Sequence, residues 1–285
     1  MVQKIGVVGA GIMGGGIAQM FAEQGKTVLL WDVNQDQLAR GLAGIRRRLE
    51  RSVEKGHKPP EIVEEVLGRI ARLTGPGGFA EAELVIEAIV EDKQVKLHLL
   101  SELSECVGEA AILATNTSSL SIGELSEAVK NPQRFLGLHF FNPPTKLELV
   151  ELVSAPLTSA DVIAAVTRLL KACGKTPVTV KDTPGFIVNR LLLLMVNEAV
   201  RMLDEGVAAA EDIDTAMKLG ALHPVGPLAL ADLIGLDTCE TILSVLHDRL
   251  GSSSYAPALS LKARVAEGKL GRKTGEGFFT KEAGG

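Results

Sequence analysis

The stretch KIGVVGAGIMG at residues 4–14 decides how the first half of this 285-residue chain folds. A short apolar run at residues 5–8 predicts a buried strand, and a helical pattern begins at residue 12. Between strand and helix, one glycine permits a tight turn, a second lets the backbone approach a pyrophosphate, and a third lets helix and strand pack closely. The phosphates then lie against the N–H groups at the helix N-terminus. The residues expected to hold a dinucleotide here are Gly9, Gly11, Ile12, Met13 and Gly14.

An acidic residue follows the second predicted strand, at residues 27–31. The carboxylate of Asp32 can accept hydrogen bonds from a ribose 2′-hydroxyl, and it would repel a 2′-phosphate. Val33 and Asn34 supply no arginine for such a phosphate. The sequence therefore predicts NAD rather than NADP as the cofactor, against the alternative of a glycine turn that binds no ligand.

Short apolar runs and helical patterns alternate along the first half of the chain. Continuous apolar runs are typical of parallel strands that are covered on both faces. The predicted strands are residues 5–8, 27–31, 84–89, 112–115, 134–141 and 147–153. The predicted helices are residues 12–24, 35–55, 60–73 and 92–107. Because no strand separates the second and third helices, they predict a helical hairpin that protrudes from the sheet.

The pattern changes near residue 183. Pro184, with Asp182 or Thr183 as the cap, is expected to open a long helix that ends near Asp204. Further helical stretches cover residues 212–219, 228–234, 238–250 and 258–267. We therefore expect an α/β fold with two domains. Residues 1–183 would form a Rossmann-type, mostly parallel sheet with the helical hairpin inserted, and residues 184–285 an all-helical C-terminal domain.

The composition excludes several classes of protein. A formal net charge of −5 gives no globally basic surface for nucleic acid or an anionic membrane. The 3 cysteines are far apart in the chain, which argues against a disulfide scaffold, and the histidines show no metal-ligand spacing. No apolar run approaches the roughly 18 residues of a membrane span. We expect a cytoplasmic protein without a metal, a nucleic-acid partner or a membrane partner.

A histidine lies near the end of the predicted strand at residues 134–141. Open α/β sheets bind ligands beyond the carboxyl ends of their strands. If residues 147–153 form an antiparallel hairpin with this strand, with the turn near Thr145, then His139 and Glu151 stand opposite each other. The carboxylate could then hold the imidazole in one tautomer and favour its protonated form. Spacing alone leaves a structural histidine as the alternative.

Three further features have both a functional and an ordinary interpretation. The hydroxyl-rich residues 115–119 could donate hydrogen bonds to a ligand, but the pattern favours a turn with a helix cap before Ile122. Asn189 could reach back across the domain boundary, or it is an ordinary polar residue of a helix. The basic run from Arg46 to Lys55 is typical of a solvated helix face, and beside a nucleotide site it could instead meet phosphates.

Several motifs together resemble one family. They are GAGIMG at Gly9, EAIVED at Glu87, TNTSSL at Thr115, HFFNPP at His139, DTPGFIVNR at Asp182, DIDTAM at Asp212 and GRKTGEGF at Gly271. Any one of them could occur by chance. In this order and over nearly the whole chain, they resemble the L-3-hydroxyacyl-CoA dehydrogenase family in its short, monofunctional form.

The resemblance implies an NAD-dependent oxidoreductase that acts on an acyl-CoA, with 3-hydroxybutyryl-CoA as the expected substrate, and a homodimer formed through the helical domain. It implies that His139 is the catalytic base and Glu151 its partner, while Ser118 and Asn189 bind the reacting oxygen and the thioester region. The implied cofactor residues beyond the glycine turn are Asp32, Glu91, Lys96, Asn142 and Lys273. Arg48 and Lys55 are the implied coenzyme A contacts.

Two positions depart from the family pattern. Glu148 stands where many relatives carry a basic residue, and Arg48 replaces a small polar residue of some relatives. Both leave the acyl preference open. Two alternative functions also remain, a sugar-acid dehydrogenase of the L-gulonate type on the same fold and a non-catalytic NADH-binding protein.

Overall fold

The computed structural model describes residues 2–280 of the chain, which divides into two compact units, Met1–Thr183 and Pro184–Gly285. The outermost positions of the two predicted domains, residue 1 and residues 281–285, lie outside the described residues. Every helix of residues 2–280 is too short or too polar to cross a membrane.

The first unit is built on one 8-stranded sheet with the order β3-β2-β1-β4-β5-β6-β7-β8. Its strands are β1 Lys4–Val8, β2 Thr27–Trp31, β3 Ile70–Arg72, β4 Leu84–Glu87, β5 Ile112–Thr115, β6 Phe135–Phe140, β7 Leu149–Ser154 and β8 Thr176–Lys181. Neighbouring strands pair in parallel except β6 and β7, which are antiparallel. The expected mostly parallel, Rossmann-type sheet is confirmed. The carboxyl ends of β1, β4, β5 and β6 therefore meet at one edge of the sheet.

Helices cover this sheet and supply its core. They are α1 Ile12–Glu23, α2 Gln35–Glu54, α3 Ile62–Gly68, α4 Lys93–Cys106, α5 Ile122–Ser126 and α6 Ala160–Ala172. The side chain of Asn34 caps α2 by accepting hydrogen bonds from two backbone N–H groups of its first turn. Apolar residues of α2 then recur at helical spacing and are buried with the strands; they are Leu38, Leu42, Ile45 and Leu49.

The predicted helical hairpin needs two corrections. The helix predicted for residues 60–73 is present as α3 but ends earlier, at Gly68, because Ile70–Arg72 forms β3 beside β2. This edge strand has only 3 residues, too few to show a strand period. The hairpin also does not stand clear of the sheet, since Val63 and Val66 of α3 are buried in the same core as the apolar face of α2.

The predicted opening of the second helical region is also wrong. The carboxylate of Asp182 accepts hydrogen bonds from Ser121 Oγ at 2.7 Å and from the backbone N of Gly123 at 2.8 Å, at the start of α5. It therefore holds a helix of the first unit, while α7 begins later, at Val188. The donors to this carboxylate belong to a segment that is far away in the sequence. A local capping pattern therefore cannot reveal this contact.

The second unit is helical, as expected. Its helices are α7 Val188–Asp204, α8 Ala210–Gly220, α9 Pro227–Ile234, α10 Leu236–Leu250 and α11 Leu259–Ala266. Buried apolar side chains from all five form its own core, including Leu193, Ile213, Leu228, Leu243 and Leu261. After α11, the described residues up to 280 make isolated bridges, such as Gly271 with Glu276.

Candidate active site

The glycine turn between β1 and α1 has the geometry that its sequence predicts. Gly9 has a φ of +96°, a backbone conformation that residues with a Cβ rarely adopt. A Cβ on Gly14 would lie 1.8 Å from the backbone oxygen of Gly9, so helix and turn approach too closely for any other residue. A Cβ on Gly11 would meet no described atom within 4 Å. Gly14 therefore packs tightly against the turn, whereas the space beside Gly11 is open, and a pyrophosphate would lie there.

Neighbouring groups complete a cradle for a dinucleotide. Asp32 Oδ2 accepts a hydrogen bond from the backbone N of Ala10 at 2.8 Å, and Oδ1 accepts one from Asn34 at 2.9 Å. The carboxylate is thus tied to the glycine turn at the end of β2. Ile12 begins α1 with 75% of its surface exposed, while Met13 packs partly against the core. These residues fit NAD, with the phosphates at the start of α1 and the ribose near Asp32.

The cofactor preference can be tested at Asp32. In Asp32→Asn the amide oxygen can still accept a backbone hydrogen bond, but the negative charge that opposes a 2′-phosphate is lost. Because like charges in contact cost several kcal/mol and each ~1.4 kcal/mol is a factor of ten, we expect the NADPH-to-NADH ratio of kcat/KM to rise at least roughly tenfold. Asp36→Asn, in the first turn of α2, is the control. An unchanged ratio would show that Asp32 does not select the cofactor.

His139 and Glu151 are direct neighbours across β6 and β7. The distance from His139 Nδ1 to Glu151 Oε2 is 2.6 Å, and the two side chains are only 7% and 1% exposed. A buried carboxylate needs a strong donor, and an ionised carboxylate only accepts, so Nδ1 carries the proton. The His139 ring also contacts Phe141, with ring centroids 4.4 Å apart. The pair therefore fixes both the tautomer and the orientation of the imidazole.

The hydroxyl-rich segment after β5 is organised by Glu91. Its Oε1 accepts hydrogen bonds from Thr117 Oγ1 at 2.5 Å and from the backbone N of Ser118 at 2.9 Å. Ser119 donates to the same oxygen from its backbone N at 3.2 Å. Burial would raise the pKa of Glu91, but nearby Lys96 and these hydrogen bonds outweigh it and lower the pKa. The expected helix cap before Ile122 is also present, supplied by Ser121.

Lys96 lies beneath this segment. Its side chain is 1% exposed, and Nζ lies 2.6 Å from Glu87 Oε1 and 3.4 Å from Glu91 Oε2. Glu87 also accepts a hydrogen bond from Thr115 Oγ1 at 2.7 Å. We did not predict Glu87 and Thr115 as site residues, although both end strands at the ligand-binding edge, the one signal that could have found them.

The remaining predicted site residues are on α2, after β6 and in the second unit. Arg48 Nε donates to Gln19 Oε1 at 2.7 Å, so its guanidinium lies against α1, and burial there lowers its pKa. Lys55 is exposed at the end of α2, and Asn142 is exposed after β6. In the second unit, Lys273 pairs with Asp237. Asn189 lies in the first turn of α7. Within residues 2–280, no group of His, Cys, Asp and Glu is placed to hold a metal ion.

Comparison with known families assigns both units. Residues 4–183 match the family description "3-hydroxyacyl-CoA dehydrogenase, NAD binding domain", and residues 185–281 match "3-hydroxyacyl-CoA dehydrogenase, C-terminal domain". The chain belongs to the 3-hydroxyacyl-CoA dehydrogenase family. The expected NAD-dependent oxidoreductase is thereby confirmed.

Individual 3-hydroxyacyl-CoA dehydrogenase relatives match over most of their length. A 3-hydroxybutyryl-CoA dehydrogenase of Bradyrhizobium diazoefficiens is 45% identical over 98% of this chain and 95% of its own. The human mitochondrial hydroxyacyl-coenzyme A dehydrogenase is 44% identical over 98% of this chain and 91% of its own. The crystal structure of (S)-3-hydroxybutyryl-CoA dehydrogenase from Ralstonia eutropha shares 42% identity and a TM-score of 0.95, over 98% of this chain and 99% of that one.

Proposed function

We propose that this chain catalyses the reversible NAD-dependent oxidation of an L-3-hydroxyacyl-CoA to the 3-ketoacyl-CoA, with 3-hydroxybutyryl-CoA as its substrate. The buried His139–Glu151 pair at the ligand-binding edge of the sheet carries the proposal. The substrate choice is supported by two relatives, the 3-hydroxybutyryl-CoA dehydrogenases of Bradyrhizobium diazoefficiens and Ralstonia eutropha. Oxidation of an alcohol needs a base from the protein, and this base must return the proton when the reaction runs in the reductive direction. An imidazole held by a carboxylate can do both.

In the proposed mechanism His139 accepts the 3-hydroxyl proton. Since Nδ1 is engaged by Glu151, Nε2 is the ring nitrogen assigned to this transfer. The imidazolium that forms is stabilised by the Glu151 carboxylate at 2.6 Å. NAD, when bound, supplies the acceptor for the hydride leaving C3. In the reductive direction His139 donates the proton back to the oxygen.

The remaining assignments come from the resemblance and stay predictions. Ser118 is proposed to donate a hydrogen bond to the reacting oxygen, which would stabilise charge that develops there. Asn189, on the second unit, is proposed to act at the same oxygen or at the thioester. Arg48 and Lys55 are proposed near the coenzyme A phosphates, although Arg48 already donates hydrogen bonds to α1. Closure of the site by the helical unit, homodimerisation through it and a cytoplasmic location also stay predictions.

The direct test is reduction of acetoacetyl-CoA with NADH, followed as the fall in absorbance at the NADH band. We expect turnover with NADH, much less with NADPH, and a preference for the four-carbon substrate in a series of chain lengths. Absence of turnover with every 3-ketoacyl-CoA would contradict the proposal. Oxidation of L-gulonate instead would favour the sugar-acid dehydrogenase, and NADH binding without any turnover would favour the non-catalytic protein.

The role of Glu151 has its own prediction. Glu151→Gln keeps a hydrogen-bond acceptor for Nδ1–H but removes the charge that stabilises the imidazolium. A charged acceptor contributes about 1–2 kcal/mol more than a neutral one, and each 1.36 kcal/mol is tenfold in rate. We therefore expect kcat for acetoacetyl-CoA to fall roughly tenfold with NADH affinity unchanged. Glu148→Gln, an exposed carboxylate just before β7, is the matched control. Equal kcat in the two variants would contradict a role for the Glu151 charge.

A further inference from the structure

The β6–β7 turn, residues 141–148, is held by a lysine from outside the hairpin. Lys175, which comes just before β8, is only 8% exposed. Its Nζ donates hydrogen bonds to the backbone oxygen of Pro144 at 2.6 Å and to that of Leu147 at 2.8 Å. Burial lowers the pKa of this ammonium. Because a buried ammonium is costly unless its donors are satisfied, these two hydrogen bonds fix Lys175 and the turn to each other.

The backbone around Lys175 is itself fixed. The N–H of Lys175 donates to the backbone oxygen of Leu170 at the end of α6, at 2.9 Å. The N–H of the next residue, Thr176, donates to the backbone oxygen of Glu148, also at 2.9 Å. Thr176 opens β8 and pairs with Leu149 of β7. The lysine side chain therefore extends from a fixed point between a helix and a strand, and it restrains the turn from there.

The β6–β7 turn also rests on the helix of the dinucleotide cradle. Pro144 is buried, and a Cβ on Gly16 of α1 would lie 2.9 Å from Cδ of its ring. The backbone oxygen of Pro143 accepts hydrogen bonds from the N–H groups of Lys146 at 3.0 Å and Leu147 at 3.1 Å, so the turn is compact. Helix α1 and the Lys175 ammonium therefore hold the same turn at two places.

The residues that lead into this turn reach the buried His–Glu pair. Phe141 follows β6 directly, and its ring contacts the His139 ring with the centroids 4.4 Å apart. Glu151 engages Nδ1 of the imidazole, while the Phe141 ring limits how far the imidazole can tilt. A shift of the turn would therefore move Phe141 and the imidazole together. A misplacement of about 1 Å at a reacting group can cost roughly 100-fold in rate.

We infer that Lys175 is a positioning residue for the His139–Glu151 pair, because it fixes the β6–β7 turn against α1 and thereby keeps Phe141 on the imidazole. The inference rests on the proposed function for its consequence in turnover, and on the contacts of Lys175 alone for the ordering of the turn. Lys175 acts through the backbone of the turn and needs no contact with substrate or cofactor.

Lys175→Met tests the ordering of the turn without any turnover, because methionine is apolar and of similar length but cannot donate to the two backbone oxygens. We expect amide hydrogen exchange of Lys146 and Leu147 to become at least tenfold faster than in the wild type. Lys171→Met, at an exposed lysine of α6, is the matched control and should leave this exchange unchanged. Unchanged exchange in Lys175→Met would overturn the inference whatever the activity.

A single-turnover measurement tests the effect on chemistry. The enzyme with bound NADH is mixed with acetoacetyl-CoA, and the rate constant of NADH oxidation is separated from its amplitude. For Lys175→Met we expect the rate constant to fall roughly tenfold, with the amplitude and the NADH Kd near those of the wild type. A purely structural role would lower the amplitude, which counts folded molecules, and leave the rate constant unchanged. A rate constant within threefold of the wild type would overturn the inference.

Gly16→Ala displaces the turn from its other contact and leaves Lys175 intact. Alanine favours a helix over glycine, but the added methyl group would meet the Pro144 ring. We expect the same pattern, faster exchange of the two amides and a lower single-turnover rate constant, so the inference stays testable if Lys175→Met does not fold. Gly15→Ala, whose Cβ would lie no nearer than 3.7 Å to a described atom, is the control and should leave the exchange unchanged.

Two further outcomes separate the inference from the proposed function. Faster exchange in Gly16→Ala with a single-turnover rate constant equal to that of the wild type would overturn the inference, since the turn would then have no influence on the imidazole. Inactivity of the wild-type enzyme with every 3-ketoacyl-CoA, together with faster exchange in Lys175→Met, would support the anchoring of the turn and contradict only the proposed function.

Discussion

In the variant His139→Gln, kcat for acetoacetyl-CoA reduction should fall by roughly 100- to 10,000-fold, the contribution typical of a general acid–base group. The glutamine amide cannot act as an acid or a base at neutral pH, but its N–H can still donate to the Glu151 carboxylate. The buried carboxylate therefore keeps a partner, and the loss of rate reports chemistry rather than an unpaired charge. Steady-state turnover and NADH fluorescence titration measure the two effects separately.

The control for this prediction is His98→Gln, at an exposed histidine of α4. It changes the same atoms on the same unit, away from the β6–β7 pair. We expect its kcat and its NADH Kd to equal those of the wild type, and the NADH Kd of His139→Gln to stay within about threefold. Turnover of His139→Gln within tenfold of the wild type would show that another group transfers the proton.

The His139–Glu151 pair could be predicted from the sequence because an antiparallel hairpin has few possible registers. Both strands show as apolar runs, and Pro143 and Pro144 place the turn between them. Once the turn is placed, the residues that face each other are determined within one or two positions. The observed register pairs His139 with Glu151. The glycine turn could be predicted for a similar reason, because the residues that its backbone geometry requires are neighbours in the sequence.

Elements without a local signal were not predicted. Strand β3 has 3 residues and is recognised only through its pairing with β2. Strand β8, at the sheet edge, is mostly exposed, with only Val180 buried, and it was missed together with α6. Asp182 was misplaced as a cap because its donors on Ser121 and Gly123 lie 61 and 59 residues away. In each case the stabilising partner is distant in sequence.

The contacts of charged site residues were the least predictable feature of the site, because the sequence shows a charge but not its interaction partner. Arg48 resembled part of a solvated basic face, yet its guanidinium donates to Gln19 and to the backbone oxygen of Gly15 on α1. Lys96 is predicted near the cofactor, and the sequence did not reveal that its side chain joins two carboxylates below the surface. Long side chains reach several ångströms from their backbone, so burial and pairing depend on tertiary packing.

Substitutions of the two glycines Gly14 and Gly11 should have different effects, one mainly on stability and the other mainly on NADH affinity. Gly14→Ala places a Cβ 1.8 Å from the Gly9 oxygen, a backbone atom that cannot move without opening the turn. Such overpacking costs about 3 kcal/mol, which for a unit of this size lowers Tm by roughly 6–12 °C. We expect this loss in the protein without added cofactor, measured by thermal denaturation, together with weaker NADH binding.

Gly11→Ala is the matched variant, because its Cβ meets no described atom within 4 Å and Gly11 has a φ of −68°, which any residue can adopt. Replacing a glycine cap by alanine costs only a few tenths of a kcal/mol up to about 1, so Tm without cofactor should fall by no more than about 4 °C. NADH affinity should nevertheless fall at least roughly tenfold, because the added methyl group occupies the path by which the backbone approaches the pyrophosphate. An equal loss of Tm in both variants would show that the second glycine is required by the fold. Unchanged NADH affinity in Gly11→Ala would place the phosphates elsewhere than on this turn.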